Sequence, residues 1–149
     1  KHYQTMPTDD ICALDVKGLA TDNAVLFMWV TSPLLPDGLK VIESWGFKYK
    51  SSFVWDKVKH NYGFYNSMRH EFLLVATRGA CTPDIKERKP SVISLEKTKK
   101  HSQKPQEFRA LIDELYPSGP RIELFAREAQ EGWERWGNQA PEAKEFVNA

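Results

Sequence analysis

The run Ala24–Thr31, AVLFMWVT, constrains the fold more than any other stretch. It is continuous, apolar and β-branched, with polar residues on both sides, and lacks the in-out alternation of a strand with one wet face. A run of this kind fits a central strand covered on both faces. The segments around it alternate between strand and helix patterns. Leu34–Trp45 reads as a helix with Leu35, Leu39, Ile42 and Trp45 on its buried side, Pro36 in its first turn and Gly46 ending it. Tyr49–Asp56 reads as a strand with Phe53 and Trp55 on one face, and Phe72–Thr77 as another. Ser91–Leu95 is expected to be a short edge strand. Strands alternating with helices predict a doubly wound α/β sheet, mostly parallel, with helices on both faces.

The segments between are less regular. After an irregular lead-in, Thr8 is expected to cap a short helix reaching about Leu14, with Asp9 and Asp10 at its positive end. Lys59–Met68, KHNYGFYNSM, is aromatic, polar and glycine-bearing; it reads as a loop that faces nucleic acid. Gly79–Pro90 reads as a loop too.

The last third, His101–Gln139, reads as basic loop, helix, turn, strand and loop. Pro105 suits a first helical turn, and Phe108, Leu111, Ile112 and Leu115 form one apolar stripe. Tyr116–Pro120 stops the helix. Ile122–Ala126 is expected to be a buried strand, interrupted by Glu123, an acid that needs partners there. Ligands of open α/β sheets gather at the carboxyl ends of strands. Phe125, Ala126 and Arg127 therefore fall at a ligand edge, with Lys104 approaching from the helix start.

Length and charge bound the rest. A chain of 149 residues fits one domain, here placed at 1–140, followed by a polar tail expected to fray. No apolar run approaches the roughly 18 residues of a membrane span, and no secretory signal opens the sequence. Cys12 and Cys81 are far apart and form no metal spacing; they are expected to be reduced, in a cytosolic or nuclear setting. The net charge is only +1, but Lys86–Lys104 is rich in Lys and Arg. Such a loop is either a solvated face or a rim for phosphates.

Five pieces recur in one order: Ser102-Gln103-Lys104-Pro105, Glu123-Leu124-Phe125-Ala126-Arg127, Gly132-Trp133, Trp136-Gly137-Asn138-Gln139 and, upstream, Trp55-Asp56-Lys57. Together they resemble the eukaryotic mRNA adenosine N6-methyltransferases and their bacterial and phage relatives, over His2 to about Gln139. The resemblance implies a Rossmann-like class I methyltransferase fold, circularly permuted, with S-adenosyl-L-methionine as cofactor. It assigns the cofactor's carboxylate to Lys104, its ribose to Arg127 and Asn138, its adenine to Phe125, and further donors and acceptors to Gln139. It places Trp29 and Trp55 at the target base, Lys57 at a phosphate and Glu71 beside the substrate. Read from the residues alone, both tryptophans also fit a core, Lys57 a solvated face, and Glu71 an acid paired with Arg69 or Arg78.

The family's catalytic Asp-Pro-Pro-Trp precedes a His-Tyr-x-Thr-Met segment, which here is His2–Met6. The catalytic Asp is therefore expected upstream of Lys1, and the chain by itself is expected to be inactive. The implied substrate is adenine in DNA or RNA, the implied assembly a homo- or heterodimer, and the location the cytoplasm of a bacterial or phage-infected cell or a eukaryotic nucleus. A second reading is a non-catalytic subunit that binds nucleic acid or supports an active partner. A nicotinamide-binding domain is the third, and no glycine-rich fingerprint after a strand supports it.

Overall fold

Three strands of one direction and a fourth running against them make the main sheet. In the computed structural model, residues 7–16, 18, 20–63, 65–83, 87–96 and 104–117 are described, with the backbone of 121–124 and 133–136. The elements are α1 (Thr8–Cys12), β1 (Ala24–Val30), a 3-10 turn (Ser32–Leu34), α2 (Leu35–Ser44), β2 (Lys48–Tyr62), β3 (Ser67–Arg78), β4 (Val92–Ser94), α3 (Gln106–Leu115), β5 (Arg121–Leu124) and β6 (Trp133–Trp136). The main sheet has the order β1-β3-β2-β4.

The expected mostly parallel sheet is corrected here. β1–β3 and β2–β3 are antiparallel, and only β2–β4 is parallel. The reason is the β2–β3 hairpin. Consecutive strands joined by a short turn can only pair antiparallel. The hairpin's second strand inserts between β1 and β2, so each meets a neighbour of opposite direction. β1 and β2 themselves run the same way, linked through α2.

The same hairpin corrects the expected loop at Lys59–Met68. β2 continues to Tyr62 and β3 starts at Ser67, with Asn61 opposite Met68 and Tyr62 opposite Ser67. Backbone pairing overrides the poor packing propensity of these side chains.

Helices do cover both faces. On one, Val41, Ile42, Trp45 and Phe47 pack on Ala24, Val30, Leu74 and Ala76. On the other, Phe108, Leu111, Ile112 and Leu115 pack on Trp55 and Leu73, with Phe27, Trp29 and Phe53 at the margin. Alternate residues of β1 thus serve opposite cores, which is why its sequence shows no polar alternation, although β1 stands at one end of the described sheet and not at its centre as expected. Burying each large side chain of α3 contributes about 1.5–3 kcal/mol. Phe53 and Trp55 share a face as expected.

Smaller expectations shift. α2 buries Gly38, Val41 and Ile42, while Leu39 is exposed. Gly38 sets this phase: a Cβ there would lie 3.1 Å from Val30 Cγ2, so the missing side chain lets the helix sit close on β1. Gly46 ends α2 at φ 82°, as its C-terminal position required. Pro7, not Thr8, is the N-cap of α1, which stops at Cys12. Pro105 is the N-cap of α3. The strand expected at Ile122–Ala126 appears as β5, four residues pairing parallel with β6 in a separate two-stranded sheet. Among the described residues it pairs with β6 and not with the main sheet. Phe125 and Ala126 lie outside the described residues.

Candidate functional site

Glu71 is the one buried charged residue among those described, at 6% exposure. It lies on β3 opposite Trp55. Two of the three co-directional strands finish here, while β2 runs on to Tyr62: Val30 ends β1 opposite Phe72, and Ser94 ends β4 opposite Asp56. The carboxyl edge of an α/β sheet is its usual ligand edge. The approach of α3 brings Lys104 to the same place.

A carboxylate buried alone is costly. Glu71 has two cations. Lys57 Nζ lies 2.7 Å from its Oε2, and Lys104 Nζ donates to its Oε1 at 2.8 Å. Burial works to raise the pKa of Glu71; the charge and hydrogen bond of Lys104, then those of Lys57, outweigh it and leave the carboxyl below its ordinary value. Glu71 is therefore ionised near neutrality and a poor general base. Two ammonium groups against one carboxylate leave a surplus positive charge, and each ammonium has three donors of which Glu71 takes one.

Aromatic rings hold the lysines in place. Lys57 Nζ stands 5.1 Å from the Trp55 ring centroid and Lys104 Nζ 5.4 Å from that of Trp29. Cation–π contacts at partly dehydrated sites contribute about 0.5–2 kcal/mol. Trp29 meets Trp55 edge-on at 6.0 Å and Phe108 at 5.0 Å. Trp55 is only 1% exposed, and its Nε1–H donates to the Leu95 carbonyl at 2.8 Å. In this arrangement Trp55 offers no ring face to a base and acts as the buried wall behind Trp29, which is only partly buried.

Beside this triad stands a second polar cluster that the sequence reading missed. Asp56 accepts from Arg69 Nε and Nη2, both at 2.9 Å, from Ser94 Oγ at 2.8 Å and from the Val58 amide at 2.9 Å. The Arg69 hydrogen bond, then those of Val58 and Ser94, holds the Asp56 carboxyl far below the usual range. Strand alternation put Asp56 on the face opposite Trp55, and that was the one available signal.

The structure thus gathers Trp29, Trp55, Lys57, Glu71 and Lys104, assigned separately to substrate and cofactor, into a single cluster. Glu71 pairs with neither Arg69, which serves Asp56, nor Arg78, whose Nη2 lies 3.9 Å from Asp22. Phe108, read only as part of a stripe, is a member of the aromatic group. Phe125, Arg127, Asn138 and Gln139 lie outside the described residues.

Known proteins bear on this geometry. The sequence matches the MT-A70 family over residues 1–139. It is 37% identical over 144 residues to the type II methyltransferase M.MunI of a Mycoplasma species, covering 95% of this chain and 61% of that protein. It is 29% identical over 147 residues to an Arabidopsis thaliana N(6)-adenosine-methyltransferase MT-A70-like protein, covering 92% and 21%. It is 28% identical over 147 residues to the human N(6)-adenosine-methyltransferase catalytic subunit METTL3, covering 92% and 25%. The chain therefore spans less than two thirds of these relatives' own length. A match running from the first residue through every strand and helix of the described fold, the Glu71 cluster included, makes this chain a member of the MT-A70 family.

Proposed function

We propose that the chain is the core of an S-adenosyl-L-methionine-dependent methyltransferase acting on the N6 amine of adenine in DNA or RNA. The observation that carries this reading is the Glu71 triad at the carboxyl edge of the sheet, with its surplus positive charge and its tryptophan. The relatives, a type II methyltransferase and an N(6)-adenosine-methyltransferase catalytic subunit among them, support the same activity. The accompanying fold reading is a circularly permuted class I methyltransferase.

S-adenosylmethionine supplies an electrophilic methyl group when bound. Lys104 fits its carboxylate: the ammonium is partly exposed, retains donors beyond the one on Glu71, and lies just before the N-terminus of α3. Phe125, Arg127, Asn138 and Gln139 are proposed for its adenosine. Trp29 is proposed as the ring against the target base, Trp55 as its support, and Lys57 as the cation for a flanking phosphate. Glu71 fixes the two ammonium groups.

The adenine amine is a weak nucleophile because its lone pair is delocalised into the ring. An acceptor must take its hydrogens, and Glu71, already committed to two lysines, does not serve. The acid is assigned to an Asp-Pro-Pro-Trp segment preceding Lys1. Radiolabelled methyl transfer to DNA and RNA, followed by nucleoside mass spectrometry, tests this. The 149-residue chain alone is expected at background, and the chain extended by that segment is expected to yield N6-methyladenine. Replacing the segment's Asp with Ala should abolish transfer while cofactor binding persists. Robust product from the unextended chain would refute the need for the acid. An extended protein that binds cofactor yet methylates nothing would transfer the reading to a non-catalytic subunit.

A further inference from the structure

Residues 57–70 contain Lys57, Lys59, Arg69, His60 and His70 and no Asp or Glu, in a chain whose net charge is only +1. They form the distal part of the β2–β3 hairpin. From Ser51 opposite Val75 to Asp56 opposite His70 the ladder is regular; it resumes with Asn61 opposite Met68. Residues 57–60 of β2 therefore face only Arg69 of β3, and a bulge of this kind bends and twists the strand beyond it. The bulge is held rather than loose. Val58 adopts φ 70°, a region that β-branched residues avoid, and Asp56 fixes it by accepting its amide hydrogen while binding Arg69 at two atoms. At the tip, the Gly63 amide donates to the Asn66 carbonyl at 2.8 Å, and His60 Nδ1 lies 2.9 Å from Ser67 Oγ.

On this braced arm Tyr62 and Tyr65 are 102% and 96% exposed. Neither ring contributes to a core, so the fold gives no reason for two tyrosines at the hairpin tip. Lys57 and Arg69 are paired with Glu71 and Asp56, so the arm's solvent-facing cation is Lys59, three residues before Tyr62; exposed rings beside such a cation are what unpaired nucleobases on a phosphate backbone bind. The root of the arm is Lys57, which is also a member of the Glu71 triad. A strand delivering a base to that site would run along the arm.

We infer that the hairpin 57–70 is a stacking arm for single-stranded nucleic acid, with Tyr62 and Tyr65 as platforms for bases flanking the target adenine and Lys59 as a phosphate contact. This rests on the reading of the site as one for adenine in nucleic acid. It differs from that reading in making the bases outside the pocket, not the target itself, the arm's ligand. Base–aromatic stacking is tolerant of sequence, so the arm adds affinity for unpaired strands without choosing among them.

The test is fluorescence anisotropy of the 149-residue chain with short labelled single-stranded DNA, single-stranded RNA and duplex DNA, at low salt. Tyr62→Ala/Tyr65→Ala should weaken single-strand binding by roughly five- to a hundredfold per lost stack. Tyr62→Phe/Tyr65→Phe, which keeps the rings, should bind as the parent does. Duplex binding should change little in either variant. Both substitutions are at exposed positions, and circular dichroism confirms that the fold persists. Equal single-strand affinity in the parent and the alanine variant would overturn the arm, as would equal losses for single strand and duplex, or no binding by the parent. Loss of self-association in the alanine variant with oligonucleotide binding unchanged would assign the arm to a second copy of the chain instead. Methyl transfer by the extended protein on the same oligonucleotides separates the two proposals. Methylation with tyrosine-independent binding removes the arm alone; tyrosine-dependent binding without methylation removes the methyltransferase reading alone.

Discussion

Replacing Glu71 with Gln removes the charge on which both lysines depend while keeping the size of the side chain. Removing one partner of a fully buried ion pair costs about 3–5 kcal/mol, because the remaining charge is left uncompensated. Here the Glu71 side chain is 8% exposed, but Lys57 and Lys104 are 13% and 30% exposed. Water reaches the lysines in part, so the expected loss is lower, about 2–3 kcal/mol near neutral pH. That corresponds to a fall in Tm of roughly 4–12 °C for a chain of this size. The pH dependence gives a second check. Glu71 is lowered from 4.5 in the folded state, so at intermediate pH the unfolded chain binds the extra proton. Its contribution is complete above that ordinary value and is lost as the pH falls through the lower folded value. Urea denaturation of Glu71→Gln and parent, followed by tryptophan fluorescence, should show a gap that is full near neutrality and closes under acid conditions. A gap below about 1 kcal/mol at neutral pH, or one that persists unchanged in acid, would refute the role of Glu71 as counterion to the two lysines.

Lys104→Ala should weaken S-adenosylmethionine binding by about 1.5–3 kcal/mol in calorimetry on the folded variant, the scale of a lost charged hydrogen bond. Unchanged affinity would remove Lys104 from the cofactor site. Phe108→Ala should cost about 3–5 kcal/mol by denaturant titration, since it opens a cavity beneath Trp29 and Trp55. Gly79→Ala should destabilise by more than about 1 kcal/mol: at φ 67° its Cβ would be strained and would lie 2.5 Å from the Asp22 carbonyl oxygen. Asp56→Ala should speed hydrogen exchange of the Val58 amide and of the hairpin tip, and unchanged protection there would mean that Asp56 does not brace the bulge.

Much of the chain was legible without coordinates because its signals are local. The stripe Phe108, Leu111, Ile112, Leu115 read as a helix with one buried face and is buried so, whereas AVLFMWVT read as a central strand and is a strand that feeds both cores from the edge of the described sheet, with only its ends, Ala24 and Val30, fully buried. Gly46 marked the end of α2 because few other residues accept its φ. The members of the Glu71 cluster were also nameable one at a time, as Trp29, Trp55, Lys57, Glu71 and Lys104. What the sequence did not contain was their company. Glu71 and Lys104 are separated by 33 positions, and no periodicity links them. Sheet direction was similarly hidden: strand propensity is the same for either direction, and the order β1-β3-β2-β4 depends on where a hairpin inserts. Asp56 looked like the polar middle of a Trp-Asp-Lys, yet a bulge, a positive φ at Val58 and Arg69 on the neighbouring strand give it its role. Local patterns are set by which face a side chain must bury. Charge pairing and strand order are set by which distant segments meet, so only the tertiary structure decided that Glu71 pairs with Lys57 and Lys104 and not with Arg69 or Arg78.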